Sequence, residues 1–224
     1  MAHKALQGVN LDGWLMLESW VTPELFAKTS TLDPIALANK LGSEAYAKLM
    51  HDHEESFITE FDFKQMAARG YNAVRLPVPW YVFGKDGPLP GFHTGSIAYV
   101  DKAFEWAEQS GIKILINIVL APGADKTGNA LRMKTDFTPA RRKALLEIVG
   151  MLAARYVGRS SFLGIEPLDE VVTMCRRGLN VEPGMPLSHL RNLYRDAYAE
   201  IRRCAGNGPV IVFSDAGRHG NWKH

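Results

Sequence analysis

The sequence predicts an α/β fold built from parallel βαβ units, on three observations. Short apolar runs bounded by turn residues alternate with helical patterns five times along the chain, which is the signature of strands joined by crossover helices. Several of these runs, such as 112–119, are apolar almost throughout, as strands buried on both faces are. The fourth run, 162–172, ends in two adjacent carboxylates, Asp169 and Glu170. In an α/β barrel the carboxyl ends of the strands form the rim where chemistry sits. Local sequence alone equally accommodates two loop charges that end a strand.

Each element has a local reason. Residues 6–11 form the first expected strand, and Asp12-Gly13 turns the chain into an aromatic segment, 14–20. Asp33-Pro34 combines an N-cap with a first-turn proline, and Ser43 is read as the cap of a second short helix through Met50. Thr59 and Asp62 have capping-box spacing, with Asp in place of the usual Glu. That helix runs to Arg69 and Gly70 closes it.

Residues 72–78 are the second strand, with Arg75 inside an otherwise apolar segment. Ile97, Val100, Phe104 and Ala107 recur at helical spacing over 97–109, and Ser110-Gly111 ends that helix. The third strand is 112–119. Thr138-Pro139 opens a long helix to Val157, Ser188 is expected to cap another to about Ala205, and 209–215 is the fifth strand. No internal boundary is visible, so 1–224 is expected to be one domain.

Composition narrows the function classes. The chain has 224 residues, 46% hydrophobic and 22% charged, ordinary globular values that suffice for one sizeable core. With a net charge of +2 and its Lys and Arg dispersed among Asp and Glu, no nucleic-acid stripe is expected. No apolar run reaches the roughly 20 residues that cross a bilayer, and the first residues lack a signal-peptide core, so no membrane partner and a cytoplasmic location are expected. Cys175 and Cys204 are read as free thiols.

Weaker motifs are set aside. Gly123 and Gly128 have phosphate-loop spacing, but Asn129-Ala130 replaces the required Lys-Ser/Thr. His51 to Glu55 looks metal-like, yet residues two apart on a helix diverge, so a solvated helical face is expected. Trp14, Trp20, Trp80 and Trp222 fall near expected strand-to-helix loops, where an indole face can stack on a ring-shaped ligand, and Trp20 and Trp80 are retained as ligand-contact candidates. Trp106 is assigned to the core.

The residues also carry a resemblance. Gly8-Val-Asn-Leu-Asp-Gly-Trp-Leu-Met-Leu-Glu-Ser-Trp20, Thr22-Pro-Glu-Leu-Phe26, Phe57-Ile-Thr-Glu-Phe-Asp-Phe63, Asn72-Ala-Val-Arg-Leu-Pro-Val78 and Ala121-Pro-Gly123 occur in that order. Together they resemble glycoside hydrolase family 5, in the branch of the exo-1,3-β-glucanases and β-glucosidases. The resemblance implies a (β/α)8 TIM-type barrel, incomplete here at about five parallel strands, and retaining hydrolysis of β-glucosidic bonds in glucans or oligosaccharides without a cofactor or metal.

By the same resemblance Glu170 falls on the general acid/base, Arg75 on the arginine beneath the catalytic carboxylates, and Glu18 on a carboxylate that grips sugar hydroxyls. Three departures accompany it. Asp169 replaces an Asn that donates to the sugar 2-hydroxyl, and an ionised carboxylate only accepts. Val119 stands where the active-site His belongs. No residue aligns with the nucleophile of strand seven, and Asp215 is read as a cleft-lining or structural carboxylate. A five-stranded piece leaves two sheet edges, so a fragment, completion by a partner or self-association through those edges, and closure into a reduced sheet are the expected alternatives. A catalytically inactive carbohydrate-binding relative is the second functional expectation.

Overall fold

The computed structural model describes residues 5–84, 87, 88, 90–120, 122, 138–169, 171, 173, 175–177, 180–182, 184–216 and 222. The elements in chain order are β1 (Gly8–Asn10), α1 (Pro23–Ala27), α2 (Pro34–Leu41), α3 (Ser43–Ser56), α4 (Glu60–Ala68), β2 (Ala73–Pro79), α5 (Ile97–Ser110), β3 (Lys113–Val119), α6 (Pro139–Tyr156), β4 (Phe162–Glu166), β5 (Cys175–Arg177), β6 (Asn180–Glu182), α7 (Leu187–Ala205) and β7 (Val210–Ile211). A five-stranded sheet runs β1-β2-β3-β4-β7, and β5 and β6 form a separate two-stranded sheet. The main sheet is parallel: β1 pairs with β2 in the register Gly8↔Ala73, Val9↔Val74, Asn10↔Arg75, and β4 pairs with β7 as Gly164↔Val210, Ile165↔Ile211.

Two compact units are present, one of residues 1–116 with 158–163, the other of 117–157 with 164–224. In the first, local cap chemistry works as the sequence predicts. The Asp33 carboxylate accepts from Ala36 N at 2.8 Å with Pro34 in the first turn, and Asp62 accepts from both the backbone N–H and the hydroxyl of Thr59 at 2.8 and 2.7 Å. Gly70 and Gly111 take positive φ of 89° and 68° where α4 and α5 end.

Helix α3 departs from expectation. It continues to Ser56, six residues past Met50, and Ser43 is its first residue, with Gly42 in the cap position. The reason is one buried stripe, Tyr46, Met50, His53 and Glu54, at spacings of four, seven and eight. The expected solvated face of 51–55 is therefore corrected: His51, Asp52 and Glu55 are exposed, but His53 and Glu54 lie inside.

Trp14 lies in the loop after β1 as expected, but its indole turns into the core rather than toward a ligand. It is completely buried, stacks on Trp106 at 6.1 Å and 18°, meets Tyr99 edge-on at 6.5 Å, and donates from Nε1 to the Glu54 carbonyl at 3.0 Å. Trp106 does belong to this packing, as predicted.

An ion pair closes the same unit near the end of α5. Glu108 accepts from Arg159 Nε at 3.0 Å and Nη2 at 2.7 Å, and from Ser160 N at 3.0 Å. The Arg159 hydrogen bond, foremost, holds the Glu108 carboxyl below the usual carboxylate range. A folded-state value below the unfolded one contributes stability above the unfolded pKa of about 4.3 and loses it as pH falls through the depressed value. Glu108→Gln should therefore lower stability by about 1 kcal/mol at pH 7, with the difference shrinking below about pH 4. Urea unfolding at pH 7 and pH 3 measures this.

In the second unit Thr138 accepts from Arg141 N at 3.3 Å and opens α6 as predicted. Ser188 does not cap α7; Pro186 occupies the cap position and Ser188 is helical. The fifth strand is only Val210–Ile211, extended by Val212 N donating to Ile165 O at 3.1 Å. The fourth strand ends at Glu166 rather than at the carboxylate pair, because Pro167 has no N–H for the ladder. The antiparallel β5–β6 pair, Cys175↔Glu182 to Arg177↔Asn180, was not expected. Its strands read Cys-Arg-Arg and Asn-Val-Glu, with no apolar alternation to betray them. No described helix is long and apolar enough to cross a membrane.

Candidate active site

Arg75 is the one charged side chain in Ala-Val-Arg-Leu-Pro-Val-Pro, a strand otherwise buried throughout. It is half-buried, sits opposite Asn10 in the β1–β2 register, donates from Nη1 to Asn10 Oδ1 at 3.4 Å, and its carbonyl accepts from Leu11 N at 3.0 Å. The first two strands thus carry a guanidinium and an amide side by side on the sheet.

Glu18 lies in the loop after β1 and is 8% exposed. Its carbonyl accepts from Val21 N at 2.9 Å and Thr22 N at 3.0 Å, a turn that leads into α1. Gly13 makes this loop possible: its φ is 76°, and a Cβ there would stand 2.7 Å from Val21 Cγ1. The Gly13 carbonyl accepts from His53 Nε2 at 2.7 Å, and His53 stacks on Phe57 at 4.6 Å. Burial, the largest cause, holds the His53 imidazole below its ordinary pKa, so it acts as a neutral donor that pins the loop.

Of the two tryptophans proposed from sequence, Trp20 is 68% exposed, two residues past Glu18 in the same loop. Trp80 is half-buried just beyond the carboxyl end of β2, edge-on to Tyr81 at 5.8 Å. Glu18, Arg75, Trp20 and Trp80 all belong to the first unit.

Asp169 belongs to the second unit. It is half-buried, three residues past β4, and its N–H donates to the Ile118 carbonyl at 3.0 Å, so the chain after Pro167 stays alongside β3. Glu170 lies outside the described residues, as do the 123–128 loop and the side chain of Cys175. Val119, in the position where the resemblance places a histidine, is buried at the end of β3, and Leu120 follows with a φ of 47°. Cys204 is a free thiol, as predicted.

Sequence reading passed over two buried groups in this unit. Glu166 is buried at the end of β4. Burial first, and then the Glu166 charge, raises the Tyr194 phenol, which donates to Ser214 O at 2.9 Å. Asn117 is buried in β3, and its Oδ1 and Nδ2 have no partner among the described residues. A polar letter inside an apolar run was the available signal for both. Asp215 is half-buried and its carbonyl accepts from Trp222 Nε1 at 3.0 Å. Among the described residues no cluster of three or more His, Cys, Asp or Glu is arranged to hold a metal ion, and the 51–55 run splits between core and solvent.

Comparison with known proteins agrees with the motifs. A glucan 1,3-beta-glucosidase of Candida oleophila is 32% identical over 227 residues, covering 94% of this chain and 51% of that protein. A probable glucan 1,3-beta-glucosidase A of Aspergillus niger (strain ATCC MYA-4892 / CBS 513.88 / FGSC A1513) is 33% identical over 207 residues, 88% of this chain and 47% of that one. The chain spans about half the length of the curated relatives it matches. Among solved structures, a rutinosidase from Aspergillus niger superimposes with a TM-score of 0.74 at 18% identity, over 93% of this chain and 62% of that one. The protein titled AoRut gives 0.80 at 18%, over 97% and 64%. These likenesses carry the fold: the five parallel strands and their helices are part of a TIM-type barrel. The cellulase model, glycosyl hydrolase family 5, matches residues 40–221, and the chain belongs to that family.

Proposed function

We propose that this chain serves retaining hydrolysis of β-glucosidic bonds in glucans or oligosaccharides, with Glu170 as the general acid/base and Glu18, Arg75, Asp169, Trp20 and Trp80 contacting the sugar. The observation that supports this most is the family membership over 40–221 combined with relatives that are 1,3-β-glucosidases across nearly the whole chain.

The chemistry sets the roles. A glycosidic oxygen leaves only when protonated, so one carboxylic acid must donate while a second carboxylate, about 5 Å away, attacks the anomeric carbon. Glu170 supplies the first function. No residue of this chain is assigned the second, so turnover requires a carboxylate from outside the matched half of the family. By the family resemblance Arg75 would hold a negative charge in place, and Glu18, already fixed by its turn, would accept from sugar hydroxyls.

A second reading is favoured by two particular residues: Val119 in place of the family histidine, and Asp169 in place of an amide donor. Under it the chain binds β-glucan without cleaving it. Hydrolysis of an aryl β-glucoside separates the two. Once a second carboxylate is supplied, as by the complementary half of a relative, the hydrolase reading expects turnover that Glu170→Gln lowers by about 100- to 10,000-fold. Sugar binding with no turnover even then supports the second reading instead.

A further inference from the structure

From the contacts around α3 we infer that Glu54 is a positioning residue, which ties down the chain segment after β2 and thereby sets the place of Trp80. This inference rests on the sugar-contact role proposed above for Trp80.

Glu54 is 1% exposed, and its carboxylate is fully engaged by that segment: Oε1 accepts from Ser96 Oγ at 2.5 Å and Oε2 from His93 Nε2 at 3.0 Å. Ser96 occupies the cap position of α5, where a serine hydroxyl ordinarily accepts from the helix's own N–H groups. Here it makes no such bond and turns to Glu54 instead. The helix forgoes a local cap for a contact 42 residues away in sequence.

The same segment is folded onto itself and onto α3. Gly95 N donates to Tyr81 O at 3.3 Å, Ile97 N to Val82 O at 3.1 Å, and a Cβ on Gly84 would stand 3.3 Å from Gly95 Cα. An aromatic relay runs from Trp80 to Tyr81 at 5.8 Å, from Tyr81 to Phe92 at 5.2 Å, and from Phe92 to Tyr46 of α3 at 4.9 Å. His93 adjoins Phe92, so the pull of Glu54 acts on the residue next to the relay. Meanwhile the backbone carbonyl of Glu54 takes the Trp14 indole, and its neighbour His53 takes Gly13. Two consecutive residues of α3 thus tie down the segments that follow both β1 and β2.

A carboxylate this buried, facing a single imidazole and a hydroxyl, is a costly way to hold a core together. Apolar residues of similar volume often do so as well or better. Its use here points to position rather than to stability, and that difference can be measured.

The test compares the parent chain with Glu54→Leu, Glu54→Gln and His93→Ala. It uses laminari-oligosaccharide titration, thermal unfolding, and amide exchange of 90–96 against that of α4. With Glu54→Leu the unfolding midpoint should fall, since the buried Ser96 hydroxyl is left unpaired, while the dissociation constant rises about tenfold and exchange quickens in 90–96 alone. Glu54→Gln, which keeps an acceptor and the shape, should recover most of both, and His93→Ala should fall between. Equal exchange and equal affinity in parent and Glu54→Leu would overturn the inference, and so would exchange rising equally in α4. If the parent binds no sugar, the functional reading fails, and the exchange of 90–96 alone decides the role of Glu54.

Discussion

Replacing Trp14 by alanine should destabilise the protein by about 3–5 kcal/mol, measured by urea or thermal unfolding. The indole is completely buried, shares its faces with Trp106 and Tyr99, and satisfies the Glu54 carbonyl. Truncation removes all of these at once and leaves a cavity with an unpaired buried carbonyl. Trp20→Ala, six residues on and largely exposed, should change stability by no more than about 0.5 kcal/mol, and its effect should appear in sugar affinity. A Trp14→Ala variant as stable as the parent would mean that the first unit is not packed around this ring.

Gly164→Ala should cost about 3 kcal/mol or more, although it adds a single methyl. Strands β4 and β7 pair here so closely that a Cβ on Gly164 would stand 1.9 Å from the Val210 carbonyl oxygen and 2.8 Å from its nitrogen. Those are backbone atoms, with no rotamer that moves them aside. The substitution must therefore push β7 from β4 or shift the ladder, with loss of the Val212 to Ile165 bond. Amide exchange at Val212 should rise first, and the unfolding midpoint should fall with it. An alanine tolerated within about 0.5 kcal/mol would contradict this close approach.

These two residues also mark where sequence reasoning succeeds and stops. The helix starts at Asp33-Pro34, Thr59 and Thr138-Pro139, and the glycine ends at Gly70 and Gly111, were legible because each is decided within four residues of chain. The strands 72–78 and 112–119 were legible because burial leaves them apolar but for Asn72, Arg75, Lys113 and Asn117. Trp14, His53 and Glu54 were not, since their partners lie about 40 residues away and their letters suit a surface equally well. Ser43, Ser188 and Ser96 show the limit of cap signatures: the first two lie inside their helices, and the third spends its hydroxyl on Glu54. Pro167 was in plain view and should have ended the fourth strand at Glu166.

The candidate site divides in the same way. Arg75 stood out because a charge inside a buried run needs a reason, whereas Glu18 was named only through the family resemblance, and the structure finds Glu18 buried and Arg75 half-buried, each with backbone partners. Glu166 and Asn117 carry the same signal, but nothing local to either tells a buried polar group from one that faces solvent at the end of a strand.

A calorimetric titration of the chain with a laminari-oligosaccharide tests the central claim, that this half of a family 5 barrel carries a working β-glucan site. Saturable one-to-one heat, with affinity lowered at least about tenfold in Glu18→Gln, is the expected result. Absence of any heat at millimolar sugar, or an affinity indifferent to Glu18, would contradict it.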